Sequence, residues 1–274
     1  MMVEALVYFF VPALVGVLIG IASGLLGIGG GTVMVPIFRL AFGMSATMST
    51  ATSLFAIIPT SISGAISHVK GKTCIPALGI AAGLGGACMS PIGVWLAQLS
   101  PDWLVMLAAA LIIGYSAINM FKKAFKLRPA GQPAAGVDAA APTADDSSLS
   151  RKQLLQGAAI GLVAGLASGY VGVGGGFIMV PLMLSIIGIP MRKASGTSLI
   201  PVMILAIPGV IEQGIIGNIN YLAGIAIVIG TIPGAVIGAR LVTKVPERTL
   251  RLLFGCFLIV AAVMLVLNEV GIFG

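Results

Sequence analysis

The chain has 274 residues, of which 58% are hydrophobic and only 8% are charged, and its formal net charge is +7. So few charged side chains cannot cover the surface of a water-soluble domain of this length, which excludes a soluble protein. In a chain of this composition the excess of Lys and Arg indicates cytoplasmic loops, and it does not indicate a nucleic-acid partner.

Apolar runs follow one another along the whole chain, and most approach the roughly 20 residues that a helix needs to cross a bilayer. The runs do not alternate between polar and apolar residues, so they predict helices rather than the strands of a barrel. The predicted segments of the first half are 5–23, 32–43, 46–67, 74–97 and 103–121. Those of the second half are 153–169, 177–188, 194–214, 219–241 and 248–268. We therefore expect an all-α, polytopic membrane protein.

The two halves are copies of one unit. An offset of 145 residues, as between Gly27 and Gly172, aligns them without any insertion. The same offset pairs MVP at 34–36 with MVP at 179–181, and TSL at 52–54 with TSL at 197–199. We expect a first membrane repeat over 1–121, a flexible polar linker over 122–150 and a second membrane repeat over 151–274.

The placement of Lys and Arg predicts how the repeats are oriented. With the linker in the cytoplasm, only Arg39 of the fifteen basic residues lies on the outer side. The loop at Asp102 is then outside, whereas its equivalent at Glu247 is inside. The repeats therefore have inverted topology, which is characteristic of secondary transporters with a substrate site near the midplane.

A glycine-rich motif, GxGGG, occurs at 27–31 and again at 172–176. Three successive glycines cost about 1 kcal/mol each relative to alanine in a helix, so each motif predicts a break before a short helix. Free amides and the positive end of that helix favour an anion, although a tight turn at the membrane surface is the alternative. The candidate binding residues are Gly29, Gly30, Gly31, Gly174, Gly175 and Gly176.

Two further patterns of small residues recur in both halves. Thr52 and Ser53 are matched by Thr197 and Ser198, whose hydroxyls either donate to an anion or bond between helices. Their recurrence favours the binding site. Glycines four residues apart predict close helix packing instead, and they are Gly16, Gly20 and Gly24, with Gly161, Gly165 and Gly169.

Ionisable residues are sparse and form no catalytic cluster, so the sequence predicts no enzyme, no metal and no cofactor. Arg39 either attracts anions at an outer mouth or snorkels to the interface. Glu212 is either a proton-coupling carboxylate or an interfacial one. His68, the only histidine, is expected in a loop at the interface.

The paired GxGGG and MVP motifs, the TSL pair and the basic central linker resemble the TauE/SafE-type sulfite exporter family over nearly the whole chain. The resemblance implies a bacterial inner-membrane permease for sulfite or a related organosulfur or carboxylate anion. It also implies that the six candidate glycines line a central site, with Thr52, Ser53, Thr197 and Ser198 near it.

The mechanism we expect is alternating access, with one repeat rocking against the other around a small anion. The membrane potential, worth about 2.3 kcal/mol per charge per 100 mV, or a proton would drive it. Two alternatives remain: a passive small-ion channel and a non-transporting subunit of a membrane assembly. The sequence makes no prediction of the oligomeric state.

Overall fold

The computed structural model describes residues 2–126 and 150–269 of the chain. Their regular structure is helical, and no strand occurs within these ranges. The helices are α1 (Met2–Leu26), α2 (Gly31–Phe42), α3 (Ala46–Lys70), α4 (Pro76–Leu99), α5 (Asp102–Lys126), α6 (Arg151–Val171), α7 (Gly176–Leu182), α8 (Met191–Ile216), α9 (Tyr221–Leu241) and α10 (Glu247–Glu269). A turn of π-helix, Met183–Ile187, continues α7.

Six helices of the described part are long and apolar enough to cross a bilayer, namely α3, α4, α5, α6, α8 and α9. Large apolar side chains cover their outer faces; Ile215, for example, is 83% exposed and Tyr115 is 69% exposed. A surface of this kind is stable in lipid but not in water. The predicted all-α, multi-pass membrane protein is therefore confirmed. Of the predicted linker, residues 127–149 lie outside the described residues.

The most extensive helix pairings of the described part join one half to the other. Helix α1 packs along α9, α4 along α6, α5 along α10, and α3 along α8 at the centre. Each helix of the first half has an equivalent in the second half. When every helix is replaced by its equivalent, α3–α8 and α5–α10 are unchanged and α1–α9 becomes α6–α4. The sequence duplication is therefore repeated in the helix packing, and neither half packs mainly on itself.

Helices α3 and α8 run antiparallel, as their glycine contacts show. A Cβ placed on Gly64 would lie 2.8 Å from Leu199 Cδ1, and one placed on Gly209 would lie 3.3 Å from Leu54 Cδ1. The early part of each helix thus lies against the late part of its equivalent. The inverted orientation of the repeats in a bilayer remains a prediction.

The glycines spaced by four bring helix backbones into direct contact. A Cβ placed on Gly20 would lie 2.4 Å from the carbonyl oxygen of Thr231 in α9. A Cβ placed on Gly165 would lie 2.2 Å from the carbonyl oxygen of Gly86 in α4. Even the smallest side chain is thus excluded at both interfaces, which confirms that these glycines serve close helix packing.

Acidic side chains hold the start of the two central helices in the same way. The Ala46 amide of α3 donates to Asp102 Oδ2 at 3.3 Å. The Met191 amide of α8 donates to Glu247 Oε1 at 3.2 Å. A carboxylate at the positive end of a helix stabilises it, so the first residue of α5 or α10 fixes where α3 or α8 begins.

Candidate anion site

Both GxGGG motifs break the helix, as predicted. Helix α1 ends at Leu26 and α2 begins at Gly31, while α6 ends at Val171 and α7 begins at Gly176. Six glycines between these helices have positive φ angles of 68° to 87°, a backbone region that other residues rarely adopt. They are Gly27, Gly29, Gly30, Gly172, Gly174 and Gly175.

The residues 27–31, here called the first glycine loop, touch the residues 172–176, the second glycine loop. A Cβ placed on Gly31 would lie 2.6 Å from the carbonyl oxygen of Val173. One placed on Gly176 would lie 2.6 Å from that of Gly27. All residues of both loops are buried. The breaks therefore face each other inside the helix bundle rather than forming turns at its surface.

Two equivalent apolar side chains, those of Ile57 and Val202, pack against both loops. A Cβ on Gly29 would lie 2.6 Å from Val202 Cγ1, and a Cβ on Gly174 would lie 2.9 Å from Ile57 Cδ1. Both side chains are fully buried. Because Ile57 and Val202 lie near the midpoints of α3 and α8, the loops meet half-way along these two helices.

The two candidate serines bind the loop of the opposite half. Ser53 Oγ donates to the carbonyl oxygen of Gly172 at 2.5 Å. Ser198 Oγ donates to the carbonyl oxygen of Gly27 at 2.7 Å. Both serines thus lie at the glycine loops, where their hydroxyl hydrogens bond to loop carbonyl oxygens. Their predicted contact with a bound anion remains a prediction.

The two candidate threonines contact a different part of the opposite half. Thr52 Oγ1 accepts from the Asn220 amide at 3.0 Å, just before α9. Thr197 Oγ1 accepts from the Ile75 amide at 2.9 Å, just before α4. Their recurrence in the sequence is therefore accounted for by equivalent helix starts, and their predicted role near the ligand is not tested by these bonds.

Buried hydroxyls that no sequence argument singled out lie beside the loops. Ser23, Thr32, Ser61 and Ser168 are fully buried, and their hydroxyl oxygens have no hydrogen-bond partner among the described residues. The repeat offset pairs Ser23 with Ser168, and this pairing is the sequence feature that could have identified both serines. Ser61 and Thr32 have no polar equivalent in the second half.

Arg39 and Glu212 lie away from the loops along their own helices. Arg39 is in the last turn of α2, roughly 12 Å along the axis from Gly31 at 1.5 Å per residue. Glu212 is near the end of α8, roughly 15 Å beyond Val202, and its Oε2 is buried without a hydrogen-bond partner. Their roles at a mouth or in coupling remain predictions.

His68 differs from its prediction as an interfacial loop residue. It belongs to α3 and is fully buried. Its Nε2 lies 2.7 Å from the Gly24 carbonyl oxygen and its Nδ1 lies 2.7 Å from Thr73 Oγ1. The imidazole therefore ties the end of α3 to the end of α1, a contact between distant segments that sequence spacing cannot reveal.

Clusters suited to a metal do not occur in the described ranges, since no three His, Cys, Asp or Glu residues are suitably grouped there. The chemistry available around the loops is that of backbone amides, hydroxyls and apolar side chains. Such a surface suits the binding of a small solute, with the polar atoms at the end of a helix.

The helices and the paired interior breaks define a multi-pass helical membrane protein built from two similar halves. Its sequence specifies the family: the chain belongs to the sulfite exporter TauE/SafE family, whose model matches residues 12–265. The prediction drawn from the glycine and TSL motifs is confirmed.

Several relatives share nearly the full length of the chain. It is similar to the probable membrane transporter protein YunE of Bacillus subtilis (strain 168), with 28% identity over 97% of this chain and 99% of the relative. It is similar to YdhB of the same organism, with 28% identity over 87% and 92%, and to a Haemophilus influenzae protein, with 29% identity over 93% and 97%. All three are described as probable membrane transporters. No solved structure is significantly similar to the chain.

Proposed function

We propose that this protein is a secondary transporter that exports a small anion, either sulfite or a related organosulfur or carboxylate anion, across the bacterial inner membrane. The observation that carries the proposal is the meeting of the two glycine loops inside the bundle, half-way along α3 and α8. Broken helices at this depth are the usual location of substrate sites in transporters with repeated halves.

The chemistry of the first glycine loop supports an anion as the substrate. Helix α2 begins at Gly31 after Gly30, which offers no side chain to cap it. The amides of Val33 and Met34 already bond to the Gly30 carbonyl oxygen, at 3.2 and 3.1 Å. The amides of Gly31 and Thr32 have no acceptor among the described residues. They would bind a negative charge at the positive end of the helix without any cationic side chain.

Alternating access remains the mechanism we propose, but the moving parts differ from our expectation of one repeat rocking on the other. The backbone contacts at Gly20 and Gly165 lock α1 to α9 and α4 to α6. Each of these pairs contains one helix from each half. We therefore infer that the α1–α9 pair moves against the α4–α6 pair, and that Ile57 and Val202 separate as it does so.

The driving force we propose is the membrane potential. An interior-negative potential favours the exit of an anion by about 2.3 kcal/mol per charge per 100 mV. Coupling to a proton through Glu212 is the alternative. The proposal includes inverted repeats with the linker over 122–150 in the cytoplasm, because that arrangement leaves only Arg39 among the basic residues outside.

Sulfite counterflow in proteoliposomes tests the proposal. We expect saturable uptake that is accelerated by sulfite inside the vesicle, and we expect loss of this flux when Gly30 and Gly175 are both replaced by Val. Gel filtration of the variant establishes whether it is still folded. Wild-type flux in the folded double variant would contradict the site.

The two alternative functions give different results in the same vesicles. A passive channel would give unsaturable flux without acceleration by internal sulfite. A subunit of a membrane assembly would carry no anion at all and would copurify with a partner.

A further inference from the structure

The two glycine loops are equivalent in sequence, but their polar surroundings are not. Next to the first loop, the hydroxyls of Ser23, Thr32 and Ser61 are fully buried and have no hydrogen-bond partner among the described residues. At the equivalent positions of the second half the chain has Ser168, Phe177 and Ala206. The second loop thus retains one of the three hydroxyls.

The residues that carry these hydroxyls lie around the start of α2. Ser61 Oγ lies 3.3 Å from the position that a Cβ on Gly29 would occupy, and Ser23 Cβ lies 3.7 Å from the equivalent position on Gly30. Thr32 belongs to the first turn of α2, directly after Gly31. Three residues with unpartnered hydroxyls, one each from α1, α2 and α3, therefore lie close to one helix end.

The backbone shows the same difference between the loops. In the second loop the Gly176 amide donates to the Gly174 carbonyl oxygen at 2.9 Å. The equivalent Gly31 amide of the first loop has no acceptor in the described part of the chain. Helix α2 has 12 residues, and α7 with its π-turn has 7 and 5, so the two helices are equally long and the loops differ in their unpaired donors.

A buried hydroxyl without a partner costs roughly 1–3 kcal/mol, and three such groups at one place are unusual in a protein interior. We propose that the first glycine loop alone holds the anion, and that Ser23, Thr32 and Ser61 donate hydrogen bonds to its oxygens. The second loop then serves as the structural counterpart. This inference rests on the proposed function and deepens it.

The donors also indicate the class of anion. Three hydroxyls and the amides at the start of α2 match an oxyanion with three oxygens on one centre. The helix end supplies about half a positive charge, and hydroxyls supply none. A singly charged head such as hydrogen sulfite or a sulfonate therefore binds more tightly than a dianion such as sulfate.

Matched substitutions test which loop binds. Ser61→Ala and Thr32→Val each remove a proposed donor, and Ser168→Ala removes the equivalent of Ser23 at the second loop. Ser90→Ala removes a buried, unpartnered hydroxyl from α4 and serves as a second control. The measurements are the KM for sulfite in proteoliposomes and the rise in melting temperature that sulfite causes in detergent.

We expect Ser61→Ala and Thr32→Val to raise the KM at least tenfold and to abolish most of the sulfite-dependent stabilisation. Each should also melt at or above the wild-type temperature without sulfite, because the unpartnered hydroxyl is gone. Ser168→Ala and Ser90→Ala should change the KM less than twofold. Sulfate should stabilise the wild type less than sulfite does.

Two results would overturn the inference. One is a wild-type KM in both Ser61→Ala and Thr32→Val, and the other is an equal loss in Ser168→Ala. Stabilisation by sulfite that depends on Ser61 and Thr32 but occurs without flux would uphold the site and contradict transport. The absence of both flux and stabilisation in the wild type would contradict both proposals.

Discussion

The Ser198 hydroxyl donates a hydrogen bond to the Gly27 carbonyl oxygen across 2.7 Å, so a helix of the second half holds the point where α1 ends. Ser53 makes the equivalent bond to Gly172 at 2.5 Å. Each half therefore shapes the helix break of the other half. A stable pair of breaks requires both halves to be present.

Removing either serine hydroxyl should destabilise the protein. Ser53→Ala or Ser198→Ala leaves a buried carbonyl oxygen without its donor, which costs about 1–3 kcal/mol. The melting temperature in detergent should fall in both variants. Thr243→Ala is the control, because the Thr243 hydroxyl is exposed and bonds only within its own turn. Equal melting of all three variants would contradict the role of these bonds.

The contact between the two loops should not tolerate a methyl group. Gly31→Ala would place Cβ 2.6 Å from the Val173 carbonyl oxygen, so the loops must separate and the folded yield should fall sharply. Gly114→Ala is the same chemical change in α5, at a site with no atom within 4 Å. There we expect a gain of up to about 1 kcal/mol from helix propensity. Fluorescence-detected gel filtration compares the two, and a normal yield of Gly31→Ala would show that the loops do not touch.

Shortening Ile57 and Val202, which pack against both glycine loops, should make the protein leak sulfite. Ile57→Ala with Val202→Ala removes the packing that closes the bundle at its midpoint, and we expect efflux of sulfite that no longer saturates. Ile62→Ala with Ile207→Ala is the matched control, because these equivalent side chains are 41% and 45% exposed on the outer faces of α3 and α8. Vesicle efflux assays distinguish the pairs. If vesicles with the Ile57→Ala/Val202→Ala variant do not leak sulfite, these two side chains do not close the bundle.

The acidic contacts at the start of α3 and α8 should contribute measurably to stability. Asp102→Ala or Glu247→Ala removes a carboxylate from the positive end of a helix, with an expected loss of about 0.5–2 kcal/mol. Asp102→Asn and Glu247→Gln keep an acceptor oxygen and should lose less. Thermal unfolding measures the difference. A larger loss in the amide variants than in the alanine variants would contradict this explanation.

Export should follow the membrane potential. For a singly charged anion, 100 mV corresponds to about 2.3 kcal/mol, or about a 50-fold difference in concentration at equilibrium. Potassium gradients with valinomycin set the potential in proteoliposomes. We expect Glu212→Gln to retain the voltage response. Sulfite accumulation driven by a pH gradient alone, and lost in Glu212→Gln, would instead establish coupling to a proton.

The local features of this fold could be read from the sequence because they depend on local physics. Apolar length predicts the helices, and successive glycines predict the breaks at 27–31 and 172–176. The internal duplication added a further constraint, since a feature such as TSL at 52–54 gains weight when it recurs at 197–199.

The contacts between segments could not be predicted in the same way. Thr52 accepts a hydrogen bond from the amide of Asn220, which lies 168 residues further along the chain, and no spacing rule relates the two. The burial of His68 against Gly24 could not be predicted either, because a polar residue near a helix end usually faces water. The unpartnered hydroxyl of Ser61 becomes visible only when the first glycine loop is placed beside it.

The packing of first-half helices against second-half helices has a consequence for biogenesis. The glycine face of α1 fits against α9, so its partner is synthesised only after the entire first half has left the ribosome. Until then we expect the glycine face of α1 to contact lipid or the insertion machinery. A truncated first half should therefore be degraded, whereas the two halves produced together as separate polypeptides should assemble.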